Sequence, residues 1–79
     1  MFREWIDTRT GQSWRVALSS KGTGWSGGRP VRLMWFAREG EFWSTECYRS
    51  GSVHSFPENV LWEHLDRARE GWFQGIGAP

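Results

Sequence analysis

The stretch from Val31 to Tyr48, VRLMWFAREGEFWSTECY, is the part of the chain that most limits its possible folds. Two runs rich in aromatic and other apolar residues flank Glu39 and Gly40. This pattern is typical of two antiparallel strands joined by a two-residue turn or by a type I turn with a glycine bulge. A strand with one face in water alternates apolar and polar residues. The first run is instead apolar on both faces, so both faces of this strand need a cover or a partner.

Two shorter runs near the start of the chain predict a first hairpin. Residues 2–7 and 12–18 are separated by a loop that ends at Gly11, and glycine readily adopts the left-handed conformation that such loops need. In the second run Trp14 and Val16 alternate with polar residues, which is the two-residue period of a half-buried strand. The four predicted strands cover residues 2–7, 12–18, 31–38 and 41–48.

The pattern changes to a helical period in the last third of the chain. An apolar stripe recurs at intervals of four, three and four residues, and the residues before it combine the spacing of a capping box with a proline suited to a first turn. We therefore predict one helix over residues 57–70, followed by a tail over 73–79. The stripe consists of Leu61, Leu65, Ala68 and Trp72, and the capping pair is Ser55 and Glu58.

These elements predict a single small α+β domain over residues 1–72. Its sheet is an antiparallel meander of four or five strands, because residues 49–56 form either a fifth strand or a loop, and one C-terminal helix packs on the sheet. If the sheet curls, the architecture becomes SH3-like. Residues 19–30 are rich in glycine and serine, so we expect a loop there, anchored by the ring of Trp25.

Aromatic rings must supply much of the core of this chain. It has 79 residues, a net charge of +1, seven Trp and five Phe. A buried Trp or Phe removes roughly 150–250 Å² from water. The nearly neutral charge argues against a general nucleic-acid or membrane-surface binder, and no apolar run has the length of a membrane span or of a signal-peptide core. Cys47 is a lone cysteine, which favours a cytoplasmic protein.

The predicted helix covers only one face of the sheet. We assign Val31, Leu33 and Trp35 to the covered face, together with Trp14 and Val16. The opposite face then carries large apolar side chains with arginines at the rim, which is the composition of the centres of protein interfaces. The residues predicted for this binding surface are Trp5, Met34 and Phe36 at its centre and Arg15, Arg32 and Arg38 around them.

Three explanations of this second apolar face remain open. The sheet can curl so that loop 19–30 buries the face, which leaves no binding surface. The face can contact a partner protein or a second copy in a homodimer. It can also stack the bases of a single-stranded nucleic acid on Trp5 and Phe36, with arginines on the phosphates. The main hypothesis is a non-catalytic protein-interaction module or homodimer, and the alternative is a single-stranded nucleic-acid-binding protein.

No residue pattern points to catalysis, a metal or a cofactor. The sequence GTGWSGG over residues 22–28 lacks the lysine and hydroxyl that end a phosphate loop, and no helix is predicted directly after it. His54, His64 and Cys47 do not have the spacing of a compact metal motif. The carboxylates are scattered, and a catalytic pocket is hard to house in so small a domain. We therefore predict that the protein is not an enzyme and has no catalytic residue, metal site or cofactor.

Three segments of the chain carry a resemblance to other proteins. They are REWIDTRTGQSWRV, the apolar strand VRLMWF and the helical segment FPENVLWEHLDRA, within residues 2–69. Together they resemble a group of short uncharacterised bacterial proteins with a hairpin–hairpin–helix design. The resemblance implies that design and a bacterial origin, and it transfers no activity and no site residue. The glycine-rich loop and the additional Trp residues depart from the group's pattern.

Overall fold

The computed structural model describes residues 2–19, 24–26 and 29–72 of the chain. Five strands come first, and helical segments follow. The strands are β1 (Phe2–Asp7), β2 (Gln12–Leu18), β3 (Gly24–Ser26), β4 (Arg29–Arg38) and β5 (Glu41–Cys47). After them come a 3₁₀ turn (Val53–Ser55), the helix α1 (Glu58–Arg67) and a π-helical turn (Ala68–Trp72).

All strand pairs in the sheet are antiparallel, and β4 lies at its centre. β1 pairs with β2, β2 pairs with β4, and β5 pairs with the other side of β4. β3 pairs with the first residues of β4, where Gly24 lies opposite Val31. The predicted α+β fold, an antiparallel meander with one C-terminal helix, is confirmed. Within the described part of the chain, no helix has the length and apolar character needed to cross a bilayer.

The segment predicted as a single loop over residues 19–30 needs correction. It contains β3, and β4 already begins at Arg29 because its first residues pair with β3. Residues 49–56 form a loop with a 3₁₀ turn and not a fifth strand of the meander. Two predictions lie outside the described part of the structure. They are the anchoring of this loop by the ring of Trp25 and the tail over residues 73–79.

The turns between β1 and β2 and between β4 and β5 both depend on glycine. Gly11 and Gly40 have φ angles of +78° and +79°, where other residues are strained. Among the described residues no non-glycine residue has a positive φ. Glu39 therefore does not adopt the left-handed conformation that a type I′ turn would require. The loop before Gly11 is also held by the N–H of Gly11, which donates to the carbonyl of Asp7 at 2.7 Å.

The helix α1 begins without the predicted capping box. Pro57 occupies the N-cap position and makes no side-chain capping bond. The hydroxyl of Ser55 instead donates to the carbonyl of Ser52 at 2.7 Å, within the 3₁₀ turn. The carboxylate of Glu58 accepts a hydrogen bond from Trp5 Nε1 at 3.2 Å. Glu58 thereby connects the start of the helix to the first hairpin.

The core lies between α1 and one face of the sheet. The predicted helical stripe is confirmed for Leu61, Leu65 and Ala68, which are fully buried. The side chain of Trp72, the fourth residue of the predicted stripe, lies outside the described part of the structure. The buried apolar sheet residues in this core are Trp5, Trp14, Val16, Met34, Phe36 and Cys47.

The orientation of β4 is the reverse of the predicted one. Val16 lies opposite Phe36, and directly opposed residues of antiparallel strands share a face, so the even-numbered residues of β4 point towards the helix. Leu33 and Trp35 lie on the other face, and Trp35 is 39% exposed. The prediction that these residues face the helix is wrong, because β4 is apolar on both faces and the strand register decides which face is covered.

Candidate functional site

The predicted centre of the binding surface lies inside the protein. Trp5 is 5% exposed, and Met34 and Phe36 are 0% exposed. The ring centroid of Phe36 lies 6.3 Å from that of Trp5 and 6.3 Å from that of Trp14, both in edge-to-face arrangements. Such pairs contribute about 0.5–1.5 kcal/mol each beyond their buried area. The prediction that these residues form an exposed surface is therefore wrong, and their contacts stabilise the core.

Two of the predicted rim arginines are also used within the fold. Arg32 donates a hydrogen bond to the carbonyl of Gly51 at 2.8 Å, which holds the loop after β5. Arg38 pairs with Glu41 at 3.0 Å, and its guanidinium lies 5.6 Å from the ring centroid of Trp14. Both arginines lie on the side of β4 that faces the helix, because they have the same parity as the buried residues of that strand. Their contacts are intramolecular and do not mark a ligand site.

Large exposed apolar side chains lie instead on the sheet face opposite the helix, which we call the outer face. Phe2, Ile6, Trp35 and Phe42 are 45%, 59%, 39% and 60% exposed on it. The ring centroids of Trp35 and Phe42 lie 6.2 Å apart. Arg15 is the predicted site residue that does lie on this face, and its guanidinium is 5.2 Å from the ring centroid of Phe2. The structure therefore places an exposed aromatic and arginine surface on the opposite side of the sheet from the predicted one.

Large and small side chains alternate across the outer face. Along one row of opposed residues, Phe2 faces Ala17, Ala17 faces Trp35, and Trp35 faces Ser44. Each ring in this row is thus followed by a small side chain on the next strand. The next row, in the strand order β1, β2, β4 and β5, consists of Glu4, Arg15, Ala37 and Phe42. The face therefore has aromatic ridges with gaps at alanine and serine.

An open cavity of about 860 Å³ lies at one end of the sheet. It begins where the pairing of β2 with β4 ends, at Arg15 opposite Ala37. Its lining also includes Ile6, Glu4 and Glu39. Its lining combines the outer-face residues Ile6, Arg15 and Ala37 with three residues of the helix-facing side, Trp5, Trp14 and Arg38. The cavity therefore opens between the strands and is lined by apolar groups, two guanidinium groups and two carboxylates.

A buried carboxylate fixes the first hairpin to the helix. Asp7 is 0% exposed and accepts hydrogen bonds from the backbone and guanidinium of Arg9 and from Trp62 Nε1. Arg9 also pairs with Asp66 at 2.9 Å and lies over the Trp62 ring. Burial raises the pKa of Asp7, but the hydrogen bonds and the charge of Arg9 outweigh it and hold this pKa below its usual value. This network is structural and involves no accessible reactive group.

A second charged cluster connects β2, β4 and β5 to the end of the helix. The guanidinium groups of Arg38 and Arg69 lie 5.6 and 5.0 Å from the ring centroid of Trp14. Glu41 accepts hydrogen bonds from both arginines, at 3.0 and 3.4 Å. Burial raises the pKa of Glu41, but the hydrogen bond from Arg38 and the charge of Arg69 outweigh it and lower the pKa. The cluster stabilises the packing of Trp14 and leaves the outer face free of these charges.

Two side chains with nucleophilic or metal-binding chemistry, Cys47 and His64, are buried. Cys47 is buried, and its Sγ is 4.0 Å from the carbonyl of Arg49. His64 is buried on the helix, with Nδ1 2.8 Å from the carbonyl of Val60. In the ranges 2–19, 24–26 and 29–72, no group of three His, Cys, Asp or Glu side chains is placed to hold a metal ion.

No family model, curated protein or solved structure matches this chain. The resemblance to short bacterial proteins and the SH3-like architecture therefore stay predictions. The function has to be inferred from the outer face and its surroundings.

Sequence reasoning missed four outer-face residues, and one signal for them was present. Phe2 and Ile6 share one face of the first strand, and Trp5 lies on the other face. This arrangement separates exposed from buried residues once Trp5 is assigned to the core. For Trp35 and Phe42 the sequence held no such signal, because β4 and β5 both carry rings on each of their faces.

Proposed function

We propose that this chain is a small non-catalytic protein-interaction module that binds a protein through its outer face. One observation carries the proposal. Four large apolar side chains between 39% and 60% exposed lie on one side of the sheet, and no element of the described chain packs over them. Monomeric soluble proteins rarely expose contiguous apolar patches larger than roughly a few hundred Å², and patches of that size or larger often mark interaction sites.

The composition of the outer face favours a protein as the ligand. Trp, Phe and Arg are enriched at the centres of protein interfaces, and rings contribute large contact areas with few rotatable bonds. The Trp35 and Phe42 rings already contact each other, and Arg15 is already stacked on Phe2. These side chains lie on paired strands, so little conformational entropy is lost when a partner binds.

The alternative, binding of a single-stranded nucleic acid, receives less support. Trp35 and Phe42 offer rings on which bases can stack. Arg15 is available to a phosphate on this face, but Glu4 lies directly opposite it on β1 and repels phosphate. Arg32 and Arg38, which the sequence suggested for phosphates, are engaged in intramolecular contacts. Among the described side chains, a nucleic-acid ligand would therefore meet rings without the row of cations that its backbone requires.

The proposal also includes a non-catalytic role, a cytoplasmic location and a bacterial origin. Cys47 and His64 are both buried and therefore shielded from a substrate, which supports a non-catalytic role. The single cysteine is a buried free thiol, so the fold uses no disulfide, which supports a cytoplasmic location. A bacterial origin follows from the sequence resemblance alone.

Site-directed photo-crosslinking in cells that natively make the protein tests the interaction surface. A benzophenone amino acid replaces Phe42 on the outer face, and the control replaces Asn59, which is exposed on α1. We expect a light-dependent protein adduct from position 42, no adduct from position 59, and loss of the adduct when Trp35→Glu is added. Absence of an adduct at position 42, or equal adducts at both positions, would contradict the proposal.

A titration with a short single-stranded oligonucleotide tests the alternative. Quenching of Trp fluorescence that disappears when salt is raised and in a Trp35→Glu variant would assign the outer face to nucleic acid. We expect no such quenching, because Arg15 is the cation on this face among the side chains that the structure describes, and Glu4 lies opposite it.

A further inference from the structure

The geometry points to a second copy of this chain as the occupant of the outer face. This inference rests on the proposed function, since it names the partner of that surface. The contact would be isologous, meaning that the same face is used by both copies around a twofold axis. Three properties of the outer face support self-association: its area, its relief and its charges.

The exposed area suits a small, reversible dimer. The exposed fractions of Phe2, Ile6, Trp35 and Phe42 amount to roughly 300–500 Å² of apolar surface, since a large side chain has about 150–250 Å² to bury. A standard specific interface buries about 800 Å² per partner, and weak ones bury less. The four side chains thus supply about half of the area, and Arg15 and the polar residues around them supply the rim. Interfaces at the small end of this range belong mostly to weak, reversible complexes, so we expect association only at micromolar concentrations or above.

The ridges and gaps of the outer face are complementary in shape to those of a second copy. Face-to-face sheets pack about 10 Å apart, and their side chains must interdigitate. Rows in which every side chain is large cannot do so, but here Ala17 separates Phe2 from Trp35, and Ala37 lies beside Phe42. A ring from one copy can therefore fill the gap above an alanine of the other copy. The same alternation gives dense packing in the interior of sheet sandwiches.

The charges of the outer face permit two copies to approach. A twofold contact brings identical surfaces together, so a face of one sign would repel itself. On this face Arg15 lies opposite Glu4 in the strand register, and the whole chain has a net charge of +1. Both signs are thus present within one row, and each copy can offer a partner for the charges of the other.

The dimer would have four layers. Each copy contributes α1 on the outside and its sheet on the inside, in the order helix, sheet, sheet, helix. Trp35 lies on β4, the central strand, and therefore near the middle of the contact. Phe2 and Ile6 on β1 and Phe42 on β5 lie to either side of it. We expect the central ring and its neighbour Phe42 to contribute most to affinity.

Sedimentation velocity and light scattering of the full chain test this inference. We expect a mass of 9.2 kDa at low micromolar concentration that rises to about 18 kDa, twice the chain mass, at high micromolar concentration. Trp35→Glu and Phe42→Arg should each raise the concentration of half-association by more than about a hundredfold, because each change alters both sides of a twofold contact. Asn59→Arg, on the exposed side of the helix, should leave that concentration unchanged. Far-UV circular dichroism verifies that each variant is folded.

The outcomes separate this inference from the proposed function. A wild-type chain that stays at 9.2 kDa at every concentration would overturn the homodimer, as would a dimer that persists in both folded outer-face variants. In either case a photo-adduct of position 42 with a different protein would leave the proposed function intact. A monomeric chain with no photo-adduct at position 42 would overturn both. A position-42 adduct that contains this chain alone would support the second copy.

Discussion

Phe36 and Phe42 form a matched pair for testing the burial of the two sheet faces. They lie on neighbouring strands, and their exposed fractions are 0% and 60%. Phe36→Ala removes a ring that contacts Trp5 and Trp14, and the cavity left behind should cost about 3–5 kcal/mol of unfolding free energy. Phe42→Ala should cost about 0.5–1 kcal/mol, because this ring contacts Trp35 and is already mostly in water.

The expected loss from Phe36→Ala is large in relation to the unfolding free energy of the whole domain. Proteins have roughly 0.05–0.15 kcal/mol of stability per residue, so a chain of this length has about 4–12 kcal/mol in total. Phe36→Ala should therefore remove about a quarter or more of the stability, and at the lower end the variant would be partly unfolded at room temperature. Phe42→Ala should leave a well-folded protein.

Urea unfolding followed by far-UV circular dichroism measures both values. The protein concentration is kept low, so that association does not add to the apparent stability. The dependence of the unfolding free energy on urea should have the same slope in both variants, because neither changes the surface exposed on unfolding by much. If Phe36→Ala costs under about 1 kcal/mol, or if the two variants lose equal stability, then the even-numbered side of β4 does not face the core as described.

Three further outcomes are expected. Leu65→Ala should cost about 2–5 kcal/mol, since this fully buried residue lies in the middle of the helical stripe; an unchanged melting temperature would mean that α1 is not docked on the sheet. Asp7→Asn should cost about 1–3 kcal/mol in the same urea assay, because Arg9 and Trp62 lose their charged acceptor. Acid should destabilise the wild type. The pKa values of Asp7 and Glu41 are lowered in the folded state, so the stability that these carboxylates contribute is complete above their unfolded-state pKa values of about 4. This stability is lost as the pH falls through their lower folded-state pKa values. The loss should be smaller in Asp7→Asn, and equal acid sensitivity of the two proteins would refute the role of Asp7.

The local features of the fold could be predicted from the sequence. The first hairpin has the predicted bounds because its second strand alternates cleanly and Gly11 supplies the residue with positive φ. The helix follows from the spacing of Leu61, Leu65 and Ala68. These features depend on neighbouring residues, and the physical preferences of neighbours are visible in a sequence.

The choice of the covered sheet face could not be predicted in the same way. β4 carries Met34 and Phe36 on one side and Leu33 and Trp35 on the other, so hydrophobicity favours neither side. The face is set by register, in which Leu18 lies opposite Met34. That register depends on the length and path of the segment between β2 and β4, and a shift of one residue would exchange the two faces.

The arginines of β4 made the prediction of its faces harder. Arg32 and Arg38 flank the buried residues on the same side of the strand, and charged residues usually indicate a face in water. Their long side chains instead reach the rim of the core, where Gly51 and Glu41 accept their hydrogen bonds. Gly51 is distant in sequence from Arg32, and Glu41 lies across a turn from Arg38. Both contacts therefore become evident only in the folded chain.

The central position of β4 has a consequence for how the protein folds and opens. Its ten residues pair with β2, β3 and β5, and the β4–β5 hairpin closes across a turn of two residues, Glu39 and Gly40. Pairings this local in sequence form rapidly, so the sheet can assemble outward from β4 before the helix docks. In native-state hydrogen exchange, the amides of Met34 and Phe36 should therefore exchange only through global unfolding, whereas β1, at the margin of the sheet, frays first.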